Sequence, residues 1–409
     1  MPVLAAVLAL GLAAPAGAAV KLGEGNWTYF TDPRVVTRAG AVYSGWISTG
    51  GRVTVTKYDP ATRRRQSKVV GATGVDDHNN PALHMRPDGR LMVFFSPHSG
   101  RYEPKDRVSR MYYRVATRPH SVAAWGPTHH VPTNARGRLG YTYPNPIALP
   151  GGRLWLSWRG GGWLPTYSIY KDGRWSRARE IVRGPDGQRP YAKYAAGRGG
   201  TVHIAFTEAH PERRRTRVHY LRYRAGRGFY RADGSLAGTR TPLASSRADL
   251  VHPYDDKLGR PWVMDVADDG RGRPVIVYAV GYWRSHQYFW YARWTGKRWL
   301  RAQIAPAFGS TRNLGAGRFQ TGGIVLDHRD PRRVYLTRVV GGLGRIEQWQ
   351  TSDRGATWAF VKTLSPVGQN CFRPAAPASG ESRMVVFVCG RVQHWQRYAT
   401  RITAAEPAR

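Results

Sequence analysis

The chain has 409 residues, and 63 Lys and Arg against 26 Asp and Glu give it a formal net charge of +37, a balance that suits a polyanionic partner. Beyond the N-terminus no stretch holds the 18 or more uninterrupted apolar residues needed to cross a bilayer, so no membrane-spanning helix is expected there. No RNA- or DNA-binding motif accompanies the charge, so no nucleic-acid partner is expected and an acidic polysaccharide, sulfated or not, takes its place; an arginine bias without functional meaning is the alternative.

Residues 1–19, MPVLAAVLALGLAAPAGAA, read as a cleaved secretion signal, because an apolar stretch ends in the small residues Ala16, Gly17 and Ala18. A membrane anchor is the other reading of this stretch. The remainder, 20–409, is expected to be a secreted, monomeric single domain with no membrane attachment.

From there, apolar alternating runs arrive in pairs, each pair joined by a turn rich in Gly, Pro, Asp or Ser. The turns are RAGA (38–41), RPDGR (86–90), PGGR (150–153), GRGG (197–200), DDGRGR (268–273), DHRDPRR (327–333) and ASGESR (378–383). Runs such as LMVFFS, LWLSW, VHIAF, VIVYA and MVVFV flank them, and short strands at even spacing signal an all-β barrel, sandwich or propeller. Seven hairpins spaced by roughly 50 to 70 residues suit the four-stranded blades of a seven-bladed β-propeller. TSDRGATW (351–358) fits the Thr/Ser-x-Asp-x-Gly-x-Thr-Trp turn of such propellers, so Asp353 is given a structural task. Cys371 and Cys389, the only cysteines, are expected to pair in an oxidising compartment.

One cluster stands out in this series. GVDDHNNPAL sets Asp76, Asp77, His78, Asn79 and Asn80 ahead of an apolar strand, where they would form the rim of a sugar-binding cleft. With the turn centred on Asp88 and Gly89, His78 falls opposite the neighbourhood of His98. The next hairpin, YPNPIALPGGRLWLSWR, places Tyr143 where His78 stood and pairs it with the neighbourhood of Arg159. The fourth brings Tyr191, Lys193 and Tyr194 ahead of its turn and His210 after its second strand, at the same end.

Two imidazoles and a phenol can move protons between carbon and oxygen, and a guanidinium can hold a carboxylate bidentately. That combination suits β-elimination from a uronic acid. Arg159 would offset the carboxylate and the charge that develops when C5 is deprotonated. His78 is assigned as base and Tyr143 as acid, with His98 orienting the substrate or sharing the proton work; the assignment is reversible. Asn79, Asn80, Tyr191, Lys193, Tyr194 and His210 are candidates for substrate contacts. A propeller glycoside hydrolase would need two carboxylates about 5 to 10 Å apart. Asp76 and Asp77, as neighbours on a strand, would point to opposite faces and are expected to orient His78 instead. Glu208 and Asp265 remain as second carboxylates for a hydrolase, and a non-catalytic carbohydrate-binding propeller is the third reading.

NWTYFTDPRVV, DDHNNPAL, PDGRLMVFFSPHSG, TYPNPIAL, SWRG, RPYAKY, FTEAHP, GGIVLDH and the TSDRGATW turn together resemble the bacterial-neuraminidase-repeat polysaccharide lyases, the ulvan lyases and rhamnose–glucuronate lyases among them. The resemblance covers nearly all of the mature chain. It implies β-elimination at a bond between rhamnose and glucuronic or iduronic acid. By motif it implies catalytic duty for His78 in DDHNNP, His98 in FFSPHSG, Tyr143 in TYPNP and Arg159 in SWRG, and a less secure match for Tyr194 in RPYAKY. Some relatives hold a structural metal through His and Cys. The two cysteines here lie in the last hairpin and match no such ligand set, so neither metal nor cofactor is assigned, although His203, His210 and His219 are close in sequence.

Overall fold

A computed structural model describes residues 19–98, 110–132, 141–282, 287–307 and 321–408. The proposed signal, apart from Ala19, lies outside these. All seven turns read from the sequence join the first and second strands of a blade, and the seven blades form a β-propeller. The blades span 35–72, 82–131, 142–180, 191–252, 260–306 and 324–363, and the seventh combines 371–405 with 20–24.

Burial explains the strand sequences. The second strands Ala41–Ile47, Leu91–Phe95 and Pro274–Gly281 are buried at every position, because each packs on both faces against neighbouring blades. An apolar run of β-branched and aromatic residues suits such a strand. The outer strand Arg65–Ala72 is mostly exposed and carries the polar residues. At the hairpin tips Gly40 and Gly89 have φ of 74° and 75°, a backbone that only glycine adopts without strain.

Two features close the ring. Strand Val20–Glu24 pairs antiparallel with Arg397–Ala405, so the first and last parts of the chain share the seventh blade. Within that blade Cys371 lies directly opposite Cys389, and the two form the expected disulfide. In the TSDRGATW turn, Asp353 accepts hydrogen bonds from the Thr351 and Thr357 hydroxyls and from the amides of Ala356 and Thr357. Trp358 packs edge-on to Tyr291 of the fifth blade at 5.0 Å, so the motif joins blades, as its sequence suggests.

Residues 26–34 fill the centre of the ring. Asn26 bridges Ile47 of the first blade, Thr28 N–H donates to Asn80 of the second, and the Phe30 carbonyl accepts from Asn145 of the third. The Tyr29 carbonyl accepts from Lys193 of the fourth blade, and Phe30 packs on Trp262 of the fifth. The Tyr29 hydroxyl donates to the Thr321 carbonyl leading into the sixth, and Trp27 Nε1 donates to the Arg373 carbonyl of the seventh. One segment that touches all seven blades thus plugs the centre of the ring.

Candidate active site

The DDHNNP cluster is a single 3-10 turn, Asp77–Asn79, rather than a strand. Asp76 caps it, its Oδ1 accepting the His78 N–H at 2.9 Å. The turn brings both neighbouring carboxylates to one imidazole, with His78 Nδ1 bonded to Asp76 Oδ1 at 2.8 Å and 2.9 Å from Asp77 Oδ1. The expected orientation of His78 by these aspartates is thus present, although both lie on the same side of it. Asp76 also serves His98, whose Nδ1 lies 3.1 Å from Oδ2. One carboxylate therefore takes Nδ1 of both rings and leaves each Nε2 for other partners. The rings stack at 4.2 Å with an interplanar angle of 2°.

Asp77 is buried against Arg373, whose Nη1 is 2.5 Å from Oδ2, and its own N–H donates to the Trp395 carbonyl at 2.9 Å. The histidines, though stacked, differ in charge. Burial pushes His78 down, but the Asp76 and Asp77 carboxylates outweigh it and raise the pKa from the usual 6.5 to about 9. Burial also pushes His98 down, and there the single carboxylate, opposed by charged His78 and Arg159, leaves the pKa below the usual value. At neutral pH the pair holds one imidazolium and one neutral imidazole.

Tyr143 and Arg159 come from the first hairpin of the third blade. Its ladder shifts register between Thr142 and Asn145, and Tyr143 sits in that irregularity with φ of 61°. Asn145 Nδ2 ties the distortion down by donating to the Tyr143 carbonyl, and Thr142 donates to the His78 carbonyl at 2.6 Å. The Tyr143 ring rests on Phe30 and lies 5.8 Å from the His78 ring. Burial raises its pKa well above 10, so the phenol keeps its proton. Arg159 donates to the Tyr191 hydroxyl at 3.0 Å and to the Trp163 carbonyl at 3.3 Å. Its guanidinium lies 4.4 Å from the Tyr191 ring centre and 4.7 Å from that of Trp163, an aromatic clamp that fixes a cation without neutralising it.

A cavity of about 850 Å³ opens over these groups, and His78, His98, Arg159, Tyr191 and His210 all lie on its wall. Tyr143 is not on this wall; it borders a separate small pocket that Arg159 and Tyr191 also line. Four other expected contacts are placed elsewhere. Asn79 is buried, accepting the His98 N–H and donating to the Thr73 and Gly74 carbonyls, so it shapes the turn. Asn80 is buried beneath Thr28. Lys193 turns inward to Asp32 and the Tyr29 carbonyl, locking the plug. Tyr194 lies in the core between the third and fourth blades. These four hold the scaffold in place of touching a sugar.

The wall includes residues the sequence reading missed: Trp163, Gln188, Arg189, Glu212, Arg213, Arg214 and Trp395. The charge run PERRR (211–215) next to His210 was the available signal for three of them. Glu212 is the one carboxylate residue on the wall among the described residues. Glu208 is bound by Arg217 and Ser245, and Asp265 by His328 and the Leu326 amide, away from the wall. For a His and Cys metal site the residues do not fit. Both cysteines are in the disulfide, and His203 bonds Tyr220 and Asp268.

Residues 41–307 match the BNR repeat-containing family, and the chain belongs to that family. The structure is similar to that of a PL25 ulvan lyase solved with -[GlcA(1-4)Rha3S]- bound, with a TM-score of 0.74 at 14% identity over 96% of this chain and 95% of that one. It is also similar to the polysaccharide lyase Uly1, with a TM-score of 0.55 at 16% identity over 93% and 92% of the two chains. At such identities the likeness is one of fold. No curated protein matches the chain.

Proposed function

We propose that the protein is an exported polysaccharide lyase that cleaves a rhamnose–uronate linkage by β-elimination. The observation that carries this reading is the stacked His78 and His98 pair, sharing Asp76, beside an aromatic-clamped arginine in a basic cavity. Such a wall attracts a uronate, and among the described residues it carries one carboxylate, Glu212, where the usual glycosidases depend on a pair.

The charges move the base from His78, where the sequence reading put it, to His98, and leave Tyr143 as the acid. Arg159 takes the uronate carboxylate, since its Nη1 has no acceptor among the described residues. Neutral His98 removes the C5 proton through Nε2, while the His78 imidazolium faces the charge that builds on the carboxylate-stabilised carbanion. The C4–O4 bond then breaks, its electrons leave with oxygen, and C4 and C5 become doubly bonded. Tyr143 gives its proton to O4, so the departing sugar gains a hydroxyl. Export is consistent with the disulfide, which oxidising compartments favour.

The test is to incubate the purified protein with ulvan, gum arabic and other uronate polymers while following ultraviolet absorbance and reducing ends. Elimination creates an absorbing C4–C5 double bond conjugated to the carboxylate. New reducing ends without absorbance would replace this reading with hydrolysis, and neither signal would leave a binding protein.

A further inference from the structure

The cavity wall is chemically lopsided. On the side of the third and fourth blades it carries Arg159, Arg189, Arg213 and Arg214. On the side of the seventh blade it carries Trp395, with His78 beside it, and among the described residues no arginine or carboxylate joins them there. Trp395 sits at the turn between Val385–His394 and Arg397–Ala405 and is 37% exposed, an unusual position for so large a ring. Its placement is nonetheless fixed. The carbonyl holds the Asp77 N–H, the ring stands edge-on to His78 at 6.1 Å, and His394 packs on it with centroids 3.6 Å apart. An indole face suits the C–H surface of a neutral pyranose, whereas exposed guanidinium groups suit carboxylate or sulfate.

Elimination treats the two sides of the bond differently. The uronate keeps the new double bond, and the sugar attached to its O4 departs. The uronate must lie at Arg159, so the departing sugar lies across the histidines from the arginines. We propose that Trp395 is the platform for the departing neutral sugar and that Arg213 and Arg214 hold the uronate-bearing remainder. The polysaccharide then crosses the cavity in one direction, its non-reducing side over the seventh blade and its reducing side over the fourth. This rests on the elimination reading above for the meaning of the two sides, while the two-sided recognition itself is independent of turnover.

The test is a titration of the full chain with two probes, methyl α-L-rhamnoside and a disaccharide of unsaturated uronate linked to rhamnose, read by calorimetry or ligand-observed NMR. Trp395→Ala is expected to weaken the rhamnoside at least 10-fold and change the disaccharide less than about 2-fold, with Trp395→Phe restoring most of the loss. The Arg213→Ala, Arg214→Ala double variant is expected to weaken the disaccharide and leave the rhamnoside unchanged. A reversed pattern, or indifference of both probes to both variants, overturns the proposal. The two failures separate: absorbing product with a reversed pattern keeps the elimination and removes the direction, while the stated pattern without product does the opposite.

Discussion

At the scale of single residues, Asp76 bonds both imidazoles, and the second carboxylate, Asp77, gives His78 the charge that His98 lacks. His98 must be neutral to accept a proton and its pKa lies below 6.5, so activity should rise with pH through a limb below that value. His78 must be charged and its pKa is about 9, so activity should fall as pH passes through 9. A pH profile of kcat/KM checks both limbs. In Asp76→Asn the alkaline limb should move toward 6.5, and an unmoved limb would show that His78 is not the group responsible. Stability follows the same sign for His78: its raised folded pKa contributes fully below 6.5 and the contribution is lost as pH rises through about 9. Tyr143→Phe should lower kcat by about 10²- to 10⁴-fold while changing stability by under roughly 0.5 kcal/mol, because the ring, which does the packing, stays on Phe30. Thermal melting beside steady-state kinetics separates the two effects. The facing of His78 and His98 was legible because a tight turn fixes the register of its hairpin. Inward burial of Lys193 was not, since its partner Asp32 lies 161 residues away and no local pattern announces it.

At the scale of elements, the 3-10 turn bearing His78 belongs to the second blade yet is anchored by the seventh through Asp77 and Arg373. Both side chains are buried, so removing either partner strands a charge. Arg373→Met is expected to cost roughly 3 to 5 kcal/mol, read as a lower denaturant midpoint with an unchanged slope. Activity measured well below that midpoint should also fall, because Asp77 helps set the charge of His78; full activity there would confine the pair to stability. The seven hairpins could be read from sequence because glycine-rich turns and apolar alternation are local signals. The irregularity that aims Tyr143 could not, since TYPNPIAL reads as a regular strand and only the φ of 61° betrays the turn. Likewise nothing in NWTYFTDP marks a segment that must thread the centre of a ring.

At the scale of the whole molecule, the charge of +37 and the lopsided cavity act at different ranges. Exposed arginines at the rim are separated from an incoming chain by water and ions, and at physiological salt their field falls off within about 8 Å. Arg159 is held against the Tyr191 and Trp163 rings, and in the proposed reaction it would meet the carboxylate directly, where little salt penetrates. Capture of an anionic polymer should therefore be salt-sensitive and the chemical step should not. Raising NaCl from about 0.05 to 0.5 M is expected to increase KM for a uronate polymer several-fold while kcat changes by less than about 2-fold. The Arg213→Ala, Arg214→Ala variant should start with the higher KM and show a shallower dependence on salt, because the groups that salt screens are gone. If kcat fell with KM unchanged, the long-range field would be acting on the transition state, and the division between a steering rim and a sheltered Arg159 would have to be abandoned.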